Sequence, residues 1–98
     1  MEIVSLTGTI EKIQRASDTT GEISVLYYSE KKKQEIVGTG EVTAETEIMI
    51  NGAVAKLADL REGDKVRGEV RVVKHKGETA MTALKISVDR PKPVGEGG

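Results

Sequence analysis

Apolar and polar positions alternate most regularly between residues 40 and 50. Val42, Ala44, Thr46, Ile48 and Ile50 fall on one side of an extended chain, and Glu41, Thr43, Glu45, Glu47 and Met49 fall on the other. A period of two marks a strand with one face buried, here with an acidic outer face. Residues 64–75 repeat the pattern, with Val66, Gly68, Val70 and Val72 inward and Arg67, Glu69 and Arg71 outward. Residues 79–88 do so again, with Ala80, Thr82, Leu84, Ile86 and Val88 expected on the inner face. Lys76-Gly77 separates the last two runs, and glycine there suits the positive φ of a tight hairpin turn.

The first half of the chain is less regular. Val4, Leu6, Gly8 and Ile10 alternate, and Ile13 then falls out of phase. A glycine inside a strand followed by a phase slip predicts a long first strand with a bend or bulge. Asp18-Thr19-Thr20-Gly21 is a turn by composition. Residues 22–29 form a second strand with Ile23, Val25 and Tyr27 inward, which turns the adjacent Tyr28 outward. Glu30-Lys31-Lys32-Lys33-Gln34 is a charged hairpin tip. Residues 51–60 break the rhythm. Their alanines and the spacing of Val54, Leu57 and Leu60 predict one or two helical turns plugging one end of a barrel, with Gly63 ending the segment.

The order is therefore three strands, a short helix and two more strands. The expected fold is all-β: a small five-stranded OB-like (Greek-key) barrel with one short helix between strands three and four. The expected domain is residues 1–89, followed by a disordered Pro/Gly tail over residues 90–98.

Composition narrows this further. With 98 residues, the chain forms one domain. It has no Phe, no Trp and two Tyr, so its core is aliphatic. Fifteen basic and 16 acidic residues give a net charge of −1, which supplies no global attraction to nucleic acid or anionic membranes. Zero cysteines exclude disulfides, thiolate catalysis and cysteine-based zinc sites. No apolar run is long enough to span a bilayer as a helix. Residues 1–5 do not read as a signal peptide. The expected location is the cytoplasm for a full-length chain, and outside it for a chain whose leader was removed.

Residues 43–52 (TAETEIMING), with Leu57-Ala58-Asp59-Leu60-Arg61-Glu62-Gly63-Asp64-Lys65-Val66 and Met81-Thr82-Ala83-Leu84-Lys85-Ile86, carry a resemblance. Together with Leu6-Thr7-Gly8-Thr9-Ile10 at the start, they resemble a bacterial family of OB-fold-like domains of unknown function. In that family a "T-x-I" strand leads to a short helix, a "D-L-x-x-G-D-x-V" turn launches the next strand, and a "T-A-x-x-I" strand closes the barrel. The resemblance spans roughly residues 3–88 and implies the fold. It implies no reaction or ligand. Read physically, Asp59 and Asp64 serve local backbone N–H groups in the turn.

Candidate chemistry is sparse. Tyr28 with Lys31, Lys32 and Lys33 is the best candidate binding site, because small barrels of this type stack bases on aromatics beside basic groups. The acidic outer side of strand three, Glu41, Glu45 and Glu47, opposes phosphate on that face. His75, Met49 and Met81 share outward parity and could suggest a soft-metal site, but they are scattered along the chain. A single His and no nucleophile–base spacing argue against an enzyme. The expected function is a non-enzymatic binding or accessory module without a cofactor, interacting with a protein or other ligand. The alternatives are a weak single-strand nucleic-acid binder and, below it, a soft-metal barrel.

Overall fold

The computed structural model describes residues 2–91. It contains β1 (Glu2–Arg15), β2 (Gly21–Ser29), β3 (Gln34–Ile50), β4 (Ala53–Val54), a 3-10 turn (Leu57–Asp59), β5 (Lys65–His75) and β6 (Glu78–Val88). The five long strands form a ring. β1 pairs antiparallel with β2 and β5, β2 with β3, and β5 with β6, while β3 and β6 pair in parallel. The architecture is thus a small all-β barrel, and no helix among the described residues is long and apolar enough to cross a membrane.

The predicted bend in β1 is present. β1 gives residues Glu2–Thr9 to β5 and Gly8–Arg15 to β2, and its register with β2 slips between Ile10 and Lys12. Gly8 sits where both pairings meet. A side chain there would collide with the Leu26 carbonyl oxygen, so the strand can turn the corner only without a Cβ. Lys76 and Gly77 both have positive φ, 51° and 81°, as the mirror-image hairpin turns require.

The core is aliphatic: Ile10, Ile23, Val25, Val42, Ile48, Leu57, Leu60, Val66, Ala83, Ile86 and Val88 are all buried. The helical element is smaller than expected. Asn51 and Gly52 take positive φ (52° and 83°) and fold residues 50–53 into a miniature hairpin, pairing Ile50 with Ala53 and Met49 with Val54. Only Leu57–Asp59 then coils, as a single 3-10 turn. Its three-residue period aims Leu57 and Leu60 into the barrel, whereas Val54 lies 89% exposed on β4.

The expected inner face of the last strand is also corrected. Glu69 pairs with Lys85 and Val70 with Ala83, so Leu84 is an extra residue. This bulge reverses the phase. Before it Ala83 is buried and Ala80 exposed, and after it Ile86 and Val88 are buried, while Thr82 and Leu84 are only half-buried. β3 bulges at the same level, between Val42 and Glu47. There the Thr46 hydroxyl accepts from the Thr43 N–H (3.0 Å) and donates to the Ala83 carbonyl (2.6 Å), replacing part of the broken ladder.

The two ends of the barrel differ. β3 and β6 run parallel and each begins just after a hairpin turn, so both hairpin tips project from the same end. The β3–β6 pairing starts only at Glu41 and Thr82, and the β1–β2 pairing only at Gly8 and Tyr27. Beyond those points the barrel splits into a two-stranded leaf (β2–β3) and a three-stranded leaf (β1–β5–β6). This splaying accounts for the elongated shape, 55 × 32 × 19 Å.

Candidate functional site

The outward residues of the β2–β3 leaf form a ladder of cross-strand pairs. From the tip downward these are Tyr28–Glu35, Leu26–Val37, Ser24–Thr39 and Glu22–Glu41. Tyr28 and Val37 are each 57% exposed. They are diagonal neighbours, a separation of about 7–8 Å that an aromatic ring bridges. Leu26 lies half-buried between them. Below this apolar centre the Ser24 and Thr39 hydroxyls bond to each other at 2.9 Å. The strip therefore grades from aromatic, through hydroxyl, to acidic.

Lys31, Lys32 and Lys33 occupy the turn just above Tyr28. Lys33 takes a φ of 54°, and the Lys32 N–H donates to the Ser29 hydroxyl at 3.3 Å. All three side chains are exposed. The structure thus brings Tyr28 and the lysines to one hairpin tip. The β5–β6 tip, with Lys74, His75 and Lys76, projects from the same end on the other leaf.

Glu45 and Glu47 do not share this neighbourhood. Glu45 lies within the β3 bulge and Glu47 just past it, at least eight residues from Val37, or roughly 26 Å along an extended strand. Glu41 is closer, about 13 Å from Val37 by the same rise, and faces Glu22. The acids expected to face the lysines therefore sit mainly on the other half of the strand. Glu45 and Glu47 line a separate open groove of about 470 Å³ with Met49, Val54 and Lys56.

Tyr27 faces inward. With Leu6, Val70 and Met81 it lines a void of about 40 Å³ between the leaves. That space admits at most a few waters and falls far short of a small-molecule pocket, which takes about 300–1,000 Å³.

The soft-metal candidates do not converge. Met81 lines the interior void, not the outer face expected for it. His75 is exposed at a hairpin tip, and Met49 pairs with Ser87 and Val54 at the opposite end. Among the described residues, no three His, Cys, Asp or Glu side chains gather in a way that could hold a metal ion.

The 3-10 end carries a polar cluster. Asp64, a buried acid, accepts from the Arg61 N–H at 2.9 Å. The Arg90 guanidinium grips both its oxygens, from Nε at 2.9 Å and from Nη2 at 2.7 Å. Nη2 also reaches the Asp59 carbonyl at 2.8 Å, and the Arg90 N–H donates to Asn51 Oδ1 at 2.8 Å. The Arg90 hydrogen bonds hold the Asp64 carboxyl below its ordinary range, against the opposing effect of burial. Asp59 caps the 3-10 turn by accepting from the Lys56 N–H at 2.9 Å. Both acids are thus occupied within the fold. Arg90 stood in the expected tail, and no motif in the sequence pairs it with Asp64. Residues 92–98 of that tail lie outside the described residues.

Comparison with known proteins finds no matching family model, curated protein or solved structure.

Proposed function

We propose that this chain is a non-enzymatic binding module on an OB-type barrel, and that it seats a protein partner on the outer face of the β2–β3 leaf. Support for the OB-type reading comes from the ring order. Strands one to three form a meander, and the last strand returns parallel to the third. The binding reading rests on one observation: Tyr28 and Val37 lie exposed on neighbouring strands with Leu26 between them. An aromatic–aliphatic centre ringed by Lys31–Lys33, Glu22, Glu35 and Glu41 has the anatomy of a small interface, with an apolar anchor and a polar rim.

A photo-reactive residue at position 37 tests this in the cells that make the protein. It should capture a defined partner that a probe at exposed Glu62 does not. Tyr28→Ala in the same chain should abolish capture. Equal capture from both positions, or capture indifferent to Tyr28→Ala, would remove the reading.

The placement of the two lysine-bearing tips favours a second reading, single-stranded nucleic acid stacked on Tyr28. Labelled oligonucleotides at low and high salt decide between the two. Salt-sensitive binding lost in Tyr28→Ala and in Lys31→Glu, Lys32→Glu, Lys33→Glu would replace the first reading. No binding at low salt would dismiss the second.

A further inference from the structure

Splitting the barrel into two leaves exposes strand edges. β3 leaves the β6 ladder over residues 34–40, β6 leaves it over 78–81, and β1 has no partner on the side away from β5 over residues 2–7, among the described residues. Open edges template the pairing of further strands, and proteins usually blunt them with charge, proline or irregular backbone. Two of these three edges are blunted. The β3 edge carries Glu35 and two glycines, Gly38 and Gly40, and the β6 edge starts with Glu78 beside Lys76.

Beyond Glu2 at its start, the β1 edge has no such protection. In a chain with 32% charged residues, positions 3–10 (IVSLTGTI) carry no charge and no proline. The segment is rich in β-branched and aliphatic residues, and Ile3 is 59% exposed on its outer side. Those properties favour strand-to-strand pairing.

We propose that the β1 edge pairs with the β1 edge of a second copy of this chain, antiparallel about a two-fold axis through Ser5. Face parity selects the register. Ile3, Ser5 and Thr7 are exposed on the outer side, while Val4 and Leu6 are half-buried on the other, where Leu6 lines the void. Directly opposed residues in an antiparallel pair share a face. A two-fold axis perpendicular to the sheet must therefore pass through a residue, not between two.

Centred on Ser5, the pairing sets Ile3 against Thr7 and Val4 against Leu6, and it stops short of Gly8, whose edge is taken by Tyr27. No like charges meet. The two three-stranded leaves become one continuous six-stranded sheet. A symmetric contact of this kind closes on itself, so it yields a dimer and not a fibre. It leaves Tyr28 and Val37 free, because they lie on the other leaf, and so does not depend on the proposed partner site.

Sedimentation equilibrium across a concentration series reads this directly. The parent chain should show a reversible monomer–dimer equilibrium. The double variant Ser5→Lys, Thr7→Lys should be monomeric at every concentration, with its circular dichroism unchanged, because both side chains already face solvent. A parent chain that stays monomeric throughout overturns the proposal. So does a double variant that still dimerises.

Ser5→Cys adds a positional readout, since the chain has no cysteine of its own. Mild oxidation or a short thiol cross-linker should give a covalent dimer from Ser5→Cys and none from Val37→Cys. The reverse pattern assigns any dimer to the other leaf and overturns the β1 pairing.

Discussion

The two ends of this barrel solve the problem of a small core in opposite ways. At the 3-10 end every strand of the ring is paired, Leu57 and Leu60 fill the mouth, and Arg90 ties Asp64, Asp59 and Asn51 together across three segments. At the other end the ladders stop at Gly8, Tyr27, Glu41 and Thr82, and the leaves part around a small void. Stability is thereby concentrated at the end with little exposed apolar surface on the ring strands. Apart from Val54 on β4, the exposed large apolar side chains gather at the splayed end, with the basic turns and open edges. A binding surface belongs where its residues are not already spent on the core.

Several substitutions can break that division. Leu57→Ala should have the largest effect, because Leu57 is 0% exposed. A loss of about 2–5 kcal/mol is expected in urea denaturation. Met81→Ala, beside the existing void at the splayed end, should cost about 1 kcal/mol. Equal losses at the two sites would erase the contrast.

Arg90→Ala leaves a buried carboxylate with one backbone donor, and about 1–3 kcal/mol should be lost. Arg90→Lys should recover little of it, since an ammonium cannot reproduce the two-pronged grip on Asp64 together with the Asp59 carbonyl.

Acid sharpens the same point. The folded Asp64 carboxyl titrates below its unfolded value of about 3.9. Its stabilising contribution is therefore complete above that pH and is lost as pH falls through the folded value. The stability difference between the parent and Asp64→Asn should shrink below about pH 4. A difference unchanged down to pH 2 would detach the ion pair from stability.

The smallest expected effect is at the other end. Tyr28→Ala and Val37→Ser should each change stability by no more than about 0.5 kcal/mol while removing partner capture. A large destabilisation would make those side chains part of the core.

Much of this was legible in the residues, for particular reasons. Gly8 and the slipped Ile13 announce the bend in β1, and Lys76-Gly77 announces the hairpin, because backbone conformation at those points admits few residue types. The doubled Tyr27-Tyr28 requires one ring outside. Ile36-Val37 carries the same signal and would have located the second half of the apolar strip.

The β3 bulge left no trace, because Val42 and Ile48 are six residues apart and keep their parity across it. Leu84 hid its bulge by looking like one more inward position. Asn51-Gly52 is a strong hairpin signal, but the alanines and the spacing around Leu57 pointed to a helix, and the returning strand is only two residues long. The Arg90–Asp64 pair joins residues 26 apart, and nothing in local pattern brings two such positions together.

The parallel pairing of β3 with β6 also orders events in time. As the chain is synthesised, β1, β2 and β3 can meander together from neighbouring contacts alone. The ring cannot close until residues 78–88 are released, because β6 joins β3 and bears the β5 strand that reaches back to β1. The last strand is thus the keystone. A nascent chain halted before Glu78 leaves the uncharged β1 segment without a completed hairpin beside it, and that interval is when the protein is most exposed to pairing with the wrong neighbour.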